Sequence, residues 1–495
     1  MKATDTTQLR LEELPAAARH LLESGARMQM AYAVVADGGN LELRYLATPG
    51  GPTPFILWRC EVSGEPPSLA EIWPLLGWHE REIMDLYGLR FRGHPEPNRL
   101  VLHDDIAPPL APMGPEHQLR EGLPAPNGPR SLPEMLAPDV QILPFGPVRA
   151  DVLESAEFTF FYIGEQILHY QPHLFYKHRG MEQRFEGLDP VPGVVLAERV
   201  SGVGSVAHAL AFCQAVEAAC DCVVPRRALW LRVLLAELER LYNHLHYLGH
   251  LCNTTTLKVG EAQGKLLEET AKQINARLTG SRFLRSLLIP GGLRRDLRPN
   301  GWLRDALESL RAEIARYVQH LEASDSHLDR LITTGVLSSR VAFDQGATGP
   351  IQRASNTDRD LRRDHPYAAY AELPLTVPVR PEGDAYARAR VRIEELDASI
   401  AIMQRVLLLL LEDGEIRVPC PPVSRAEGLG WAESPRGSLF YAVHFDHSGC
   451  LARVKIKSPS FSNWRVFPFT VHETNMMDYA INEASFGLTI AGCAR

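Results

Sequence analysis

Apolar residues recur at helical spacing through residues 228–251, ALWLRVLLAELERLYNHLHYLGHL. Leu229, Val233, Leu234, Leu238, Leu241, Leu245 and Leu248 fall three or four positions apart. This stripe predicts a long helix that buries one face and carries Arg232, Glu239, Arg240 and Asn243 on the other. Further long helices are predicted around 264–278, 302–333 and 385–411, and a short amphipathic one around 69–76. Elsewhere the period is two: LELRYLA and PFILWRCEV near the start, EFTFFYIGEQIL from residue 157, and SLFYAVHFDHSGCLARVKIKSP from residue 438. Alternation of this kind predicts half-buried strands. The expected class is α+β: a small α+β unit, then a mainly helical unit with peripheral strands.

Composition divides the chain once. Residues 106–144 are dense in proline, which fixes φ and removes an amide donor, so they are expected to be an extended linker between residues 1–105 and 145–495. The 495 residues carry a net charge of −8, with 45% hydrophobic and 23% charged residues. That balance describes a globular protein without a basic surface for nucleic acid. No apolar run reaches the roughly 20 residues of a membrane span, and the N-terminus has no apolar signal core. A cytoplasmic protein, attached to a membrane only through partners, is expected. The eight cysteines include no C-x-x-C pair, so they offer no zinc or iron–sulfur ligand cluster.

One stretch scans as a metal-ligand loop with its thiolates missing: ERVSGVGSVAHA, residues 198–209, has the spacing Ser201-x-x-Gly204-x-x-x-His208. On its residues alone it also reads as a buried small-residue helix. Two wider patterns decide how it is read. Residues 72–105 closely resemble the signature of the 30-kDa-type subunit of respiratory complex I, with Trp78, Glu80, Arg81, Glu82, Asp85, Gly88, Phe91, His94, Pro95 and Arg99 in the matching places. Without that resemblance the charges of 80–85 are a solvated helix face. The rest resembles the complex I 49-kDa-type subunit and the large subunit of membrane-bound [NiFe] hydrogenases, the formate-hydrogenlyase type fitting best. The motifs are LPFGPV (143–148), LFYKHRGMEQ (174–183), ERVSGVGSVAHA, VPRRALWLRVLLAELERLYNHLHYLG (224–249), IPGGLRRDL (289–297), GPIQRASNTDRDLRRDHPYAAY (349–370), AESPRGSLFYAV (432–443) and KSPSFSNW (457–464).

The resemblance implies a docking role for the first unit and a site in the second. In active hydrogenases of the family four cysteines hold nickel and iron, because a soft redox-active metal pair needs thiolates. The matching positions here are Ser201, Gly204, Thr489 and Gly492, with Cys493 one residue out of register. No nickel–iron centre is therefore expected, and no metal on this chain. The family's quinone loop is matched by FGPVRAD, with Val148 and Arg149 where histidine is sought, and Gly202 falls near its tyrosine, so quinone remains an open cofactor without its specific contacts.

Arg436 matches the arginine that overhangs the metal site. With His208, Arg179, Glu182, Arg199, Asp364 and His365 it forms the expected polar cluster, and Arg436, His208, Arg179 and Glu182 are the candidate catalytic residues. Plainer readings stand beside these. Arg179 and Glu182 make an intrahelical salt bridge, His208 is a core histidine, and Arg353, Arg359, Arg362 and Arg363 form a docking face.

The resemblance further implies a membrane-associated oxidoreductase complex related to NADH:quinone oxidoreductase, on the cytoplasmic side of a bacterial inner membrane. Its partners would be a small iron–sulfur subunit, a ferredoxin-like iron–sulfur subunit and complex-I-like membrane subunits including antiporter-like ones. The 4Fe-4S clusters would sit in the partners, and no nucleic acid is expected. This chain has no Gly-rich nucleotide loop, so NAD would belong to the complex. Electron transfer with the iron–sulfur subunit, and a non-catalytic scaffold coupling that subunit to ion-pumping membrane subunits, are both compatible with the sequence.

Overall fold

The computed structural model describes residues 4–36, 39–49, 54–103, 111–115, 138–149, 154–299, 301–410, 413–472 and 474–495. In the first domain, strands β1 (Thr4–Gln8), β2 (Arg27–Val35), β3 (Leu41–Thr48) and β4 (Phe55–Glu61) form one sheet in the order β1-β4-β3-β2. β1 runs parallel to β4 and the other pairs are antiparallel. Helices α1 (Leu14–Glu23) and α2 (Leu76–Tyr87) complete the domain. The 69–76 pattern yields turns and only the first residue of α2. Pro74 offers no amide to a continuing helix, and the helix begins just beyond it.

The sheet departs from the half-buried expectation, because both faces are covered. Leu43, Tyr45, Trp58 and Cys60 pack with α1 and α2, while Met30, Tyr32, Leu46, Phe55 and Leu57 join the core of the second domain. Alternation assigns the side chains to two faces; it does not say that each face meets a protein layer. The charges of α2 are likewise internal: Glu80, Arg81, Glu82 and Asp85 are all buried.

Most of the proline-rich stretch lies outside the described residues. Its described end already contains a strand, Gln141–Phe145, which pairs with Glu157–Ile163 and through it with Gln166–His173. Ordered structure of the second domain thus begins before residue 145. The centre of that domain is the 29-residue helix Arg226–Thr254. It is packed by helices Ser205–Ala219, Lys258–Thr279, Ala385–Leu409 and Tyr479–Phe486, so its predicted polar face is buried too. Gly249 and Gly264 let two of these helices cross closely, since a Cβ on Gly264 would stand 2.6 Å from the Gly249 Cα. The 302–333 pattern resolves into two helices, Gly301–Glu322 and Asp325–Leu331, because Ser324 between them is extended (φ −99°, ψ 91°).

Strands Glu427–Ser434, Gly437–Phe445 and Leu451–Lys457 form an antiparallel sheet under helix Ser205–Ala219. Gly430 permits the close approach: a Cβ there would meet the Ala211 carbonyl oxygen at 2.0 Å. This approach sets His208 against the sheet.

Candidate functional site

The two ligand-like loops, 200–204 and 487–492, lie far apart in sequence and are joined by side chains. Arg179 donates from Nη1 to the Arg199 carbonyl at 2.9 Å and from Nη2 to the carbonyls of Val200 and Ala491, the latter at 2.9 Å. One nitrogen therefore holds both loops. A second bridge runs through Arg436, at the hairpin between two strands of the sheet. Its Nε donates to the Gly487 carbonyl at 2.7 Å and its Nη1 to Asn243 Oδ1 at 2.7 Å. Asn243 in turn donates to the Val203 carbonyl at 2.8 Å. Thus Ser201, Gly204, Thr489 and Gly492 are brought into one region, as a paired ligand site requires.

The four positions offer few donors. Ser201 is a buried hydroxyl after the helix Pro190–Val200, and Gly204 precedes helix Ser205–Ala219. Thr489 spends its hydroxyl on the local turn, accepting from the Gly492 amide at 3.2 Å with Ser460 Oγ also at 3.2 Å. Neither glycine has a side chain that could ligate a metal. Burial pushes the Cys493 thiol up, away from thiolate. Two hydroxyls, two glycines and one thiol held as a thiol do not fit a nickel–iron pair, which needs soft anionic sulfur on both metals.

The other candidates have partners of their own. His208 is buried, with Nδ1 2.8 Å from the Tyr441 hydroxyl. Burial, with help from Arg179 and Arg495, pushes its imidazolium down to about 3, so it is neutral at pH 7. Arg179 precedes the short helix Met181–Arg184 and makes no bridge to Glu182. Glu182 instead accepts from Arg453 at 2.6 Å, Arg495 at 2.9 Å and the Ile456 amide at 3.1 Å, with Lys455 at 3.2 Å. Burial opposes its charge, but Lys455, Arg453 and Arg495 outweigh burial and hold the carboxyl well below its usual range. Burial lowers Arg436 to about 10, still charged at pH 7.

Arg199 is largely exposed and bonds within its own helix, to the Val195 carbonyl. Asp364 pairs with Arg363, and His365 stacks on Phe55 of the first domain, so both stand apart from the two loops. Arg353 and Arg362 are not a docking face. They are fully buried among Glu237, Asp360, Glu395 and Glu433, with Arg240 completing the network. Arg149 pairs bidentately with Glu483 at 2.9 and 3.0 Å, while Val148 is exposed.

Two further residues build the region. Glu239 accepts from the Val206 and Ala207 amides at 2.7 and 2.9 Å, neutralising the start of helix Ser205–Ala219. Burial nonetheless raises its carboxyl to about 7. Asn243 carries the Arg436 bridge. The two are four residues apart on one helix and share a face. The sequence signal was a pair of polar residues on a helix too apolar to float free.

The chain matches the family "Respiratory-chain NADH dehydrogenase, 30 Kd subunit" over residues 8–122 and its 49 Kd counterpart over 267–424 and 418–495. Residues 179–280, which hold the first loop, match "Nickel-dependent hydrogenase". Formate hydrogenlyase subunit 5 of Escherichia coli (strain K12) is 31% identical over 448 residues, 86% of this chain and 76% of that protein. This chain belongs to the complex I and hydrogenase large-subunit family.

Fusion of the two modules recurs in that family. The fused C/D-type NADH-quinone oxidoreductase protein of Rhodopseudomonas palustris (strain BisB18) is 27% identical over 465 residues, 82% of this chain and 78% of that protein. A chain from the structure of the membrane-bound sulfane sulfur reductase, an archaeal respiratory membrane complex, superposes with a TM-score of 0.69 at 26% identity. The match covers 73% of this chain and all of that one. Among the described residues no helix of this complex I-type subunit is long and apolar enough to cross a membrane.

Proposed function

We propose that the chain is the large, hydrogenase-like subunit of a membrane-associated, complex-I-related respiratory complex. In this reading it carries no nickel–iron centre and joins a small iron–sulfur subunit to ion-pumping membrane subunits. The observation that carries the reading is the state of the vacated loops. Arg179 and Arg436 hold them together through backbone carbonyls and Asn243, so the arginines replace with hydrogen bonds the connection that bridging thiolates provide in a metal site. His208 and Glu182 are committed to structural partners. A subunit that keeps this geometry without metal chemistry keeps its docking surfaces and can transmit movement between partners.

A second reading, electron transfer at this site to a small acceptor such as a quinone, is favoured by one observation. The Tyr242 hydroxyl is buried without a well-formed hydrogen bond among the described residues, and the charge of Arg436 acts on it. An acceptor's oxygen would satisfy it.

The test uses the complex purified with its partner subunits. Metal analysis is expected to give iron from partner clusters and no nickel; stoichiometric nickel overturns the metal-free reading. Arg436→Ala, assembled normally, is expected to leave electron transfer through the complex within about twofold of wild type while weakening coupled ion movement. A fall of about 100-fold in electron transfer, the loss typical of one missing electrostatic catalytic group, favours the acceptor reading.

A further inference from the structure

We propose that the cleft between the first domain and the 348–365 segment binds a small, doubly charged oxyanion. The cleft is a cavity of about 320 Å³, lined by Arg27 and Thr48 from the first domain and by Thr348, Arg359, Glu433 and Ser438 from the second. It lies apart from the vacated loops and contains none of their residues.

The pairing of charges around it is unequal. Every carboxylate on its wall has a cation: Asp358 and Asp364 meet Arg363 at 2.7 and 2.8 Å, Asp360 meets Arg362 at 2.7 Å, and Glu433 meets Arg353 at 3.1 Å. Three cations have no such partner within 4 Å among the described residues: Arg27 and Arg359 on the wall, and Lys457 behind Ser438. Arg27, only 4% exposed, donates to Gln352 Oε1 at 2.6 Å and to the Ala347 carbonyl at 2.7 Å, both neutral. Arg359 reaches only the Gly25 carbonyl, at 3.4 Å. Lys457, 2% exposed, donates to Ser438 Oγ at 2.9 Å, and Ser438 Oγ lies 2.6 Å from Thr348 Oγ1 at the cavity wall.

The two guanidinium groups lie 5.5 and 5.7 Å from the centre of the Phe343 ring and repel each other. Buried charge without a counter-charge is costly, and burial together with Arg27 pushes the Lys457 ammonium down to about 7. An anion in the cleft would accept the guanidinium forks and the hydroxyls together, and would restore the ammonium. Sulfate, phosphate and short dicarboxylates share the required chemistry; an apolar ligand does not.

Thermal unfolding of the full chain tests this, with sulfate titrated against sodium chloride at equal ionic strength. A ligand of the folded state raises Tm with the logarithm of one plus ligand concentration over Kd, so the rise bends over above Kd, whereas general salting-out grows about in proportion to salt concentration. Arg359→Gln, at the half-buried edge of the cleft, is expected to move the sulfate concentration at which that logarithmic rise sets in about tenfold higher, and Lys457→Met to abolish the rise. Equilibrium dialysis of wild type with radiolabelled sulfate is expected to give one ion per chain. Parallel titrations with phosphate and malonate separate a tetrahedral oxyanion from a dicarboxylate. An Arg359→Gln protein that responds to sulfate as wild type does, or dialysis showing no saturable ion, overturns the proposal.

Discussion

Oε1 of Glu82 accepts a hydrogen bond from Nη2 of Arg495 at 2.6 Å, across 413 positions of sequence. Lys455 lies between Glu82 and Glu182, and Arg495 bonds both carboxylates. With Arg453, three cations and two carboxylates make one buried network that joins α2 of the first domain to the sheet of the second. The acidic residue that marks the docking motif in sequence is therefore spent inside this chain.

Removing one anion from such a network strands the rest. Glu82→Ala leaves Lys455, Arg453 and Arg495 to share Glu182, and is expected to cost about 3–5 kcal/mol of stability. Urea unfolding measures it. A cost below about 1 kcal/mol would show that the network contributes little to holding the domains together.

His208 gives a pH dependence with a definite sign. Its folded pKa of about 3 lies below the unfolded value of about 6.5. Between these values the unfolded chain takes up a proton that the native chain refuses. Its stabilising contribution is present above about pH 6.5 and is lost as pH falls, by about 1.4 kcal/mol per unit. His208→Gln should remove about one proton from the slope of stability against pH between about 4 and 6. His79, His244 and His444 are also depressed by burial and remain in both proteins, so the difference between the slopes is the readout.

Restoring bulk at the second loop should be resisted. A Cβ on Gly492 would stand 2.6 Å from Thr489 Oγ1 and 3.3 Å from Ser460 Oγ, whereas one on Gly204 meets its nearest neighbour, His208 Cδ2, at 3.3 Å. Gly492→Ala is expected to cost about 1–3 kcal/mol and Gly204→Ala less. In a Thr489→Ala background most of the Gly492→Ala cost should disappear, which a double-mutant cycle detects. Additive costs would place the strain elsewhere.

Arg179 separates a structural role from a catalytic one. Arg179→Met removes the donor for three backbone carbonyls and is expected to cost about 2–3 kcal/mol. Faster amide hydrogen exchange should appear at residues 199–204 and 489–493 together. Exchange confined to one loop would contradict the bridge.

Most of the long helices and the strands Leu41–Thr48, Phe55–Glu61, Glu157–Ile163, Gly437–Phe445 and Leu451–Lys457 were legible because period states them directly, whereas strand Gln141–Phe145, inside the proline-rich stretch, was not. The relation of Ser201 and Gly204 to Thr489 and Gly492 was legible only through resemblance, since spacing alone cannot join loops almost 300 residues apart. The roles of Arg179 and Glu182 were not legible at all. Three positions apart, they suggest a helical pair, but the helix begins after Arg179 and each side chain turns to a different partner.

What the sequence determined by itself is therefore most of the order of elements and the two-part organisation, because each depends on residue type at a local spacing. What only the tertiary structure decided is where the charges go. Glu82, Arg353 and Arg362 read as surface residues in a linear pattern, and Glu182 as a catalytic candidate or a helical partner of Arg179. Each is buried because a carboxylate or guanidinium distant in sequence meets it in space, and charge leaves water only where such a partner is already in place.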